Sequence, residues 1–274
     1  VEETTGLEGR VAIVTGAGSR GDGIGNGRAA AVLLARRGAR VALVDSVTGW
    51  AETTRSMIEA EGGTSLVVEA DVADPASCSS CVDQVLERWG EVNILVNNVG
   101  VGGPAGDVVD VDPEDWERCH RTNLTSMMLM SKYCVPSMRQ AGGGSIVHVS
   151  SVAGLHGGHP NITYPVTKGA IVPLTRAMAA HHGAEGIRVN AVAPGMVYTP
   201  MVATRPGMTE AVREIRRGRS LLGTEGSGWD VGEAVAFLAG RRAAWITGVV
   251  LPVDAGATAG RREFSPDLMS PTGG

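Results

Sequence analysis

Val11-Ala-Ile-Val-Thr-Gly-Ala-Gly-Ser-Arg-Gly-Asp-Gly-Ile-Gly-Asn-Gly27, running into Arg28-Ala-Ala-Ala-Val-Leu-Leu-Ala-Arg-Arg37, is the stretch that decides the fold. Four consecutive apolar residues read as a buried strand, the glycines as a turn, and the Ala- and Leu-rich run as a helix that Gly38 ends. A glycine turn between strand and helix lets backbone approach a pyrophosphate, whose charge meets free N–H groups and the positive end of the helix dipole. With 39 glycines in the chain such a run alone would be weak, so its weight comes from its position between strand and helix.

The same alternation continues outward. Further strands are expected at 41–44, 65–70, 93–96, 146–149 and 187–192, and helices over 50–60, 75–89, 116–138 and 164–182. Strands that are apolar throughout and alternate with helices imply a parallel sheet covered on both faces. No linker or repeat divides the chain, so residues 1–274 read as one doubly wound α/β domain, with a core over 7–256 and a tail over 257–274 rich in Gly, Pro, Ser and Arg. Ligands of such sheets bind beyond the carboxyl ends of the strands. Polar residues and glycines gather there: the first glycine loop, Asp45, Asp71, Asn97 to Gly100, Ser151 and Pro194-Gly195.

One of these strand ends carries a chemical pattern. Ser151 follows an apolar run, and Tyr164 stands four residues before Lys168, so on a helix a phenol and an ammonium share one face. A phenol titrating near 10 is a poor acid or base at neutrality, and a neighbouring cation draws its pKa down. Ser151, Tyr164 and Lys168 together make a proton-transfer site.

Composition bounds the partners. The chain is 43% hydrophobic and 19% charged, with no apolar run long enough to span a bilayer, and a net charge of −5 argues against nucleic acid. Its first residues are acidic and lack the layout of a secretory signal, so a cytoplasmic protein with no membrane partner is expected. Cys78 and Cys81 form a C-x-x-C without a second pair or suitably spaced histidines, and read with Cys119 and Cys134 as helix packing; no metal site is expected.

These ordered motifs resemble the short-chain dehydrogenase/reductases, single-domain branch, over about residues 7 to 256: Thr15-Gly16 to Gly25, Asp71-Val72, Asn97-Asn98-Val99-Gly100, Asn123, Ser151, Tyr164-x-x-x-Lys168, Pro194-Gly195-Met-Val197-Tyr-Thr199 and Val253-Asp-Ala-Gly256. The resemblance implies a Rossmann fold with a seven-stranded sheet and hydride transfer between a nicotinamide cofactor and a CH–OH group. In that family pattern Tyr164 exchanges the proton, Ser151 binds the substrate oxygen, Lys168 lowers the phenol pKa and bonds the nicotinamide ribose, and Asn123 holds a water. The cofactor contacts would come from Gly16, Gly18, Arg20, Gly23, Ile24, Gly25, Asp45, Asp71, Val72, Asn97, Val99, Gly100, Tyr164, Lys168, Pro194, Gly195, Val197 and Thr199. The loop is longer than the family's, because Ala17 to Asp22 intervene between Gly16 and Gly23; counting back from Gly38 places the last two loop glycines at Gly25 and Gly27 instead.

Asp45 favours NAD, since a carboxylate there accepts ribose hydroxyls and repels a 2′-phosphate, while Arg20 in the loop speaks for NADP as the weaker expectation. His156, His159, Met196, Tyr198 and Met201 are the substrate candidates, next to a basic helical patch at Arg213, Arg216, Arg217 and Arg219. They suggest a secondary alcohol or ketone on a largely apolar or cyclic skeleton. The family resemblance also implies a homotetramer. The alternatives are an NADPH-dependent 3-oxoacyl-type reductase and a non-catalytic NAD-binding sensor or scaffold; the complete Asn123, Ser151, Tyr164 and Lys168 set favours an enzyme.

Overall fold

In the computed structural model, which describes residues 5–260, seven parallel strands form one sheet in the order β3-β2-β1-β4-β5-β6-β7. They are β1 (Val11–Thr15), β2 (Arg40–Asp45), β3 (Thr64–Glu69), β4 (Ile94–Asn97), β5 (Gly144–Val149), β6 (Ile187–Pro194) and β7 (Val250–Val253). The fold class expected from the sequence is the one observed. Six strands fall where the apolar runs place them. The seventh, β7, carries Pro252 and is only partly buried at the sheet edge, so it lacks the continuous apolar signature of a central strand.

Side-chain alternation along the strands divides the core into two layers. Ala12, Val14, Val41, Leu43, Ile94 and Val96 face helices α1 (Asn26–Arg36), α2 (Thr48–Ala60) and α9 (Gly228–Ala239). Val11, Ile13, Ala42, Val44 and Leu95 face α3 (Pro75–Trp89), α5 (Ser126–Gln140) and α6 (Thr163–His182). Burial of each such Val, Leu or Ile is worth roughly 1.5–3 kcal/mol relative to exposure, which fixes the strand register against slippage. The cysteines lie in this core as free thiols, with burial pushing Cys78 up to about 11 and Cys81 up to about 12.

Local chemistry sets the helix ends. Asp74 accepts from Ser77 N–H at 2.8 Å and Pro75 opens α3. Helix α4 (Pro113–His120) begins the same way, with Asp112 accepting from Glu114 and Asp115. The single helix expected over 116–138 is α4 and α5 joined through a π-turn at Arg121–Thr125, a widening that recurs at functional sites. Helix α1 differs from α3 and α4 because Gly25 gives it no side-chain cap, which leaves its first N–H groups facing the crevice.

That crevice is fixed by topology. From β1 the sheet runs through β2 and β3 on one side and through β4 to β7 on the other, so the loops after β1 and β4 diverge and leave a cleft above the carboxyl ends.

Candidate active site

The cleft at this divergence has a volume of about 630 Å³. Its lining includes Gly16, Gly18, Arg20, Gly25, Asp45, Asp71, Val72, Val99, Gly100, Pro194, Gly195, Val197 and Thr199, together with Ser151, Tyr164 and Lys168. Gly23, Ile24 and Asn97 are not among the lining residues.

The glycine loop follows the count made back from Gly38. Gly25 caps α1, and Gly27 packs so closely on the loop that a Cβ there would lie 2.0 Å from Gly16 O. The additional residues form an exposed excursion at 20–23, held from below by Arg28. This buried guanidinium donates to Gly23 O at 2.5 Å, Trp50 O at 3.2 Å and Thr54 Oγ1 at 3.1 Å. Asp45, only 8% exposed, accepts Gly18 N–H through Oδ2 at 2.9 Å and Val47 N–H through Oδ1 at 3.1 Å. Arg20 lies over the Trp50 ring at 5.9 Å.

Asn98, rather than Asn97, serves the cleft. Asn98 Nδ2 donates to Thr15 O and Gly16 O at 3.1 and 3.0 Å, tying the loop after β4 to the loop after β1. Asn97 points into the opposite layer, toward Met127 O, Ser131 and His148. Strand alternation carries that signal: Asn97 falls on the side of Leu95, not of Val96.

Tyr164 opens α6, its N–H donating to Asn161 Oδ1 at 2.9 Å, while Ser151 ends the segment after β5. Burial raises the phenol pKa; a hydrogen bond with Ser151 and the charge of Arg205 draw it back. Lys168, one turn on, is 4% exposed, donates from Nζ to Val149 O at 2.9 Å and stands 6.0 Å from the Tyr164 ring centroid. Burial pulls its pKa down to about 8. Arg205, whose charge is among the influences that offset burial at the phenol, was not singled out by the sequence reading.

Asn123 sits on the π-turn with no exposed surface. Its Oδ1 accepts Val101 N–H at 2.7 Å, and its Nδ2 donates to Val101 O at 2.9 Å and Thr167 Oγ1 at 3.0 Å. Between it and the ammonium lies Gly100, where a Cβ would stand 2.9 Å from Lys168 Nζ and 3.4 Å from Asn123 Oδ1. Only a residue without a side chain leaves that gap open.

The substrate candidates divide. Met201 lines the cleft, and the His159 ring lies 5.0 Å from that of Tyr164. His156 is exposed, with Nδ1 2.9 Å from Gly157 O; Met196 lines a separate cavity; Tyr198 lies against the Arg213 guanidinium at 3.9 Å. The structure brings none of these three to the cleft. Nor is the basic patch a free positive surface: Arg213, Arg216 and Arg217 surround the buried carboxylate of Glu225. Besides Asn98, the sequence reading missed Ser19, Trp50 and Arg205 in the lining.

A nucleotide cleft over a parallel sheet, with a serine, tyrosine and lysine at one end, defines a cofactor-dependent oxidoreductase, and comparison with known proteins agrees. A family model described as enoyl-(acyl carrier protein) reductase matches residues 19–258. The cis-4-hydroxycyclohexanecarboxylate dehydrogenase of Sinomonas cyclohexanicum is 38% identical, covering 91% of this chain and 97% of that protein. The meso-2,3-butanediol dehydrogenase of Serratia marcescens is 35% identical over 92% of this chain and 96% of its own length. A crystal structure from Burkholderia xenovorans, described as of a short-chain dehydrogenase/reductase type, superposes with a TM-score of 0.89 at 38% identity, covering 93% and 98% of the two chains. The chain belongs to the short-chain dehydrogenase/reductase family and is an oxidoreductase acting on CH–OH groups, with a nicotinamide cofactor as in its family. Among the described residues no helix is long and apolar enough to cross a membrane.

Proposed function

We propose that the protein transfers a hydride between NAD and a secondary alcohol or ketone on a largely apolar or cyclic skeleton, with Tyr164 as general acid/base. The observation that carries this reading is the convergence of Ser151, Tyr164 and the buried Lys168 on one end of the cleft, with the Lys168 ammonium 6.0 Å from the Tyr164 ring centroid. The groups present suit a dinucleotide: uncapped N–H groups at α1, the close backbone of the glycine loop, and the remaining acceptor lone pairs of Asp45. When bound, nicotinamide accepts or gives the hydride; proton traffic and positioning fall to the protein.

Ser151 holds the substrate oxygen, and Tyr164 takes or returns its proton. Lys168, with its pKa near 8, gives up a proton readily at the alkaline edge of the physiological range. The gap beside Gly100 keeps its ammonium clear on the side of Asn123, which supports the loop after β4. Asp45 keeps two acceptor oxygens at the cofactor end, which supports NAD. Arg20 in the cleft lining favours NADP instead. The substrate reading draws on Met201 and His159 here and on the hydroxylated ring acid named for the Sinomonas relative.

We further read residues 1–274 as one domain, cytoplasmic and assembled as a homotetramer. Four free, buried thiols support a reducing compartment. Sedimentation of the purified chain tests the assembly. The function is tested by NADH and NADPH formation with a panel of cyclic and aliphatic secondary alcohols: turnover with NAD on ring or apolar alcohols is expected. Oxidation with NADP alone would reject the cofactor assignment.

A further inference from the structure

Helix α7 (Pro200–Ala203) and helix α8 (Glu210–Arg217) flank a turn that carries Arg205. Arg205 N–H donates to Val202 O at 3.1 Å and Arg205 O accepts Met208 N–H at 3.2 Å, so the backbone presenting this side chain is held at both ends. The side chain lines the cleft with Met201, Val202, Gly102 and Tyr164. A Cβ at Gly102 would lie 3.8 Å from its Nη2, which places the guanidinium against the loop after β4.

The charge environment there is one-sided. The arginines of α8 are all engaged by Glu210, Glu214 or Glu225, whereas the Arg205 guanidinium has no carboxylate or carbonyl partner among the described residues. The two carboxylates that line the cleft, Asp45 at the end of β2 and Asp71 after β3, lie on the other limb of the sheet. At the Tyr164 limb the lining is apolar, small or hydroxylated apart from Asn98, whose amide is spent on Thr15 O and Gly16 O, Lys168, which is buried on Val149 O, and Arg205. Burial raises the Tyr164 pKa and lowers that of His159, and the nearby charge of Arg205 works against the first shift and with the second.

We propose that the substrate alcohol carries a carboxylate and that Arg205 binds it across the apolar part of the cleft. This specificity rests on the alcohol-oxidoreductase reading of the same site. A neutral substrate covering Arg205 would strip water from a cation and return nothing, whereas a carboxylate meets the planar fork with two charge-assisted hydrogen bonds. An exposed arginine is worth little until a ligand covers it, so the effect belongs to the complex.

Binding separates this from turnover. Isothermal titration of the enzyme–NADH complex with two acid/amide pairs, cyclohexanecarboxylate with cyclohexanecarboxamide and butyrate with butyramide, reads the preference for charge on a ring and on a chain. In at least one pair the acid should bind about tenfold to a hundredfold more tightly than the amide, the worth of a hydrogen bond to a charged group. Arg205→Met should bring the ratio near one and Arg205→Lys should keep part of it, with NADH affinity reporting that each variant is folded. Absence of acid preference in both pairs, including failure to bind either member, or a preference that survives Arg205→Met, overturns the proposal. If the acid preference is present and lost in Arg205→Met but no hydroxy acid is oxidised, the fault lies in the secondary-alcohol reading and not in Arg205.

Discussion

Asp45→Ala acts on the cofactor end of the cleft in two ways that can be measured apart. The carboxylate holds the Gly18 and Val47 N–H groups at 2.9 and 3.1 Å, so its removal orphans two donors in the loop that shapes the cleft. A hydrogen bond to a charged group is worth about 1.5–3 kcal/mol, and water reaches an opened loop, so a net destabilisation on the order of 2–4 kcal/mol is expected. The free lone pairs of the same oxygens are those proposed to accept ribose hydroxyls, so NADH affinity should fall roughly tenfold to a hundredfold. For NADPH the loss is offset by relief of repulsion, about 1 kcal/mol per unit charge at 4 Å in water and about 4 kcal/mol near a protein surface. The unmodified protein should therefore prefer NADH by on the order of tenfold or more, and Asp45→Ala should approach no preference. Asp45→Asn keeps one acceptor and the side-chain shape, which isolates the charge: it should lose selectivity with less loss of stability. Fluorescence titration with both cofactors, beside thermal unfolding of the three proteins, gives all the quantities. Equal affinities in the unmodified protein, or an Asn variant as selective as the original, would refute the reasoning and return Arg20 to prominence.

Gly100→Ala puts a methyl group 2.9 Å from Lys168 Nζ, which is already tied to Val149 O. Turnover should drop about tenfold or more and stability by roughly 1–3 kcal/mol as the lysine is displaced, and unchanged steady-state rates would contradict the gap's role. His148 is fully buried with its pKa held down at about 4 against an ordinary 6.5, by burial first and the charge of Lys168 second. Between these values the unfolded chain binds a proton that the folded one refuses, so stability falls as pH drops through that window, by roughly 3 kcal/mol in all. His148→Gln should flatten this part of the urea-midpoint profile; an unchanged slope would assign acid sensitivity to other groups.

The parallel sheet was legible because β1, β2, β4, β5 and β6 are apolar over nearly their whole length, a pattern that only a doubly covered sheet explains. The glycine loop was legible as a strand-to-helix turn but not residue by residue. Its excursion at 20–23 lengthens a turn without altering spacing elsewhere, and the choice between Gly23 and Gly27 depended on where α1 begins. Asn97 and Asn98 are neighbours of one residue type, and only strand parity separates the packed one from the one in the cleft. The arginines of α8 looked like a basic face because their compensating Glu225 lies outside the helix, 9 and 12 residues from the two arginines it bonds most closely. Arg205 carried no motif or periodicity at all; the cleft alone reveals it. The parts of the tail beyond residue 260 lie outside the described residues.

Replacing Tyr164 by phenylalanine is the most direct measurement. The substitution removes one hydroxyl and keeps the ring against His159 and Lys168, so fold and NADH affinity should persist. On an alcohol that the unmodified enzyme oxidises, kcat should fall by a factor on the order of a hundred to ten thousand, the usual worth of general acid–base catalysis. Near-normal turnover in Tyr164→Phe with NADH still bound would contradict the assignment and make His159 the next proton carrier to test.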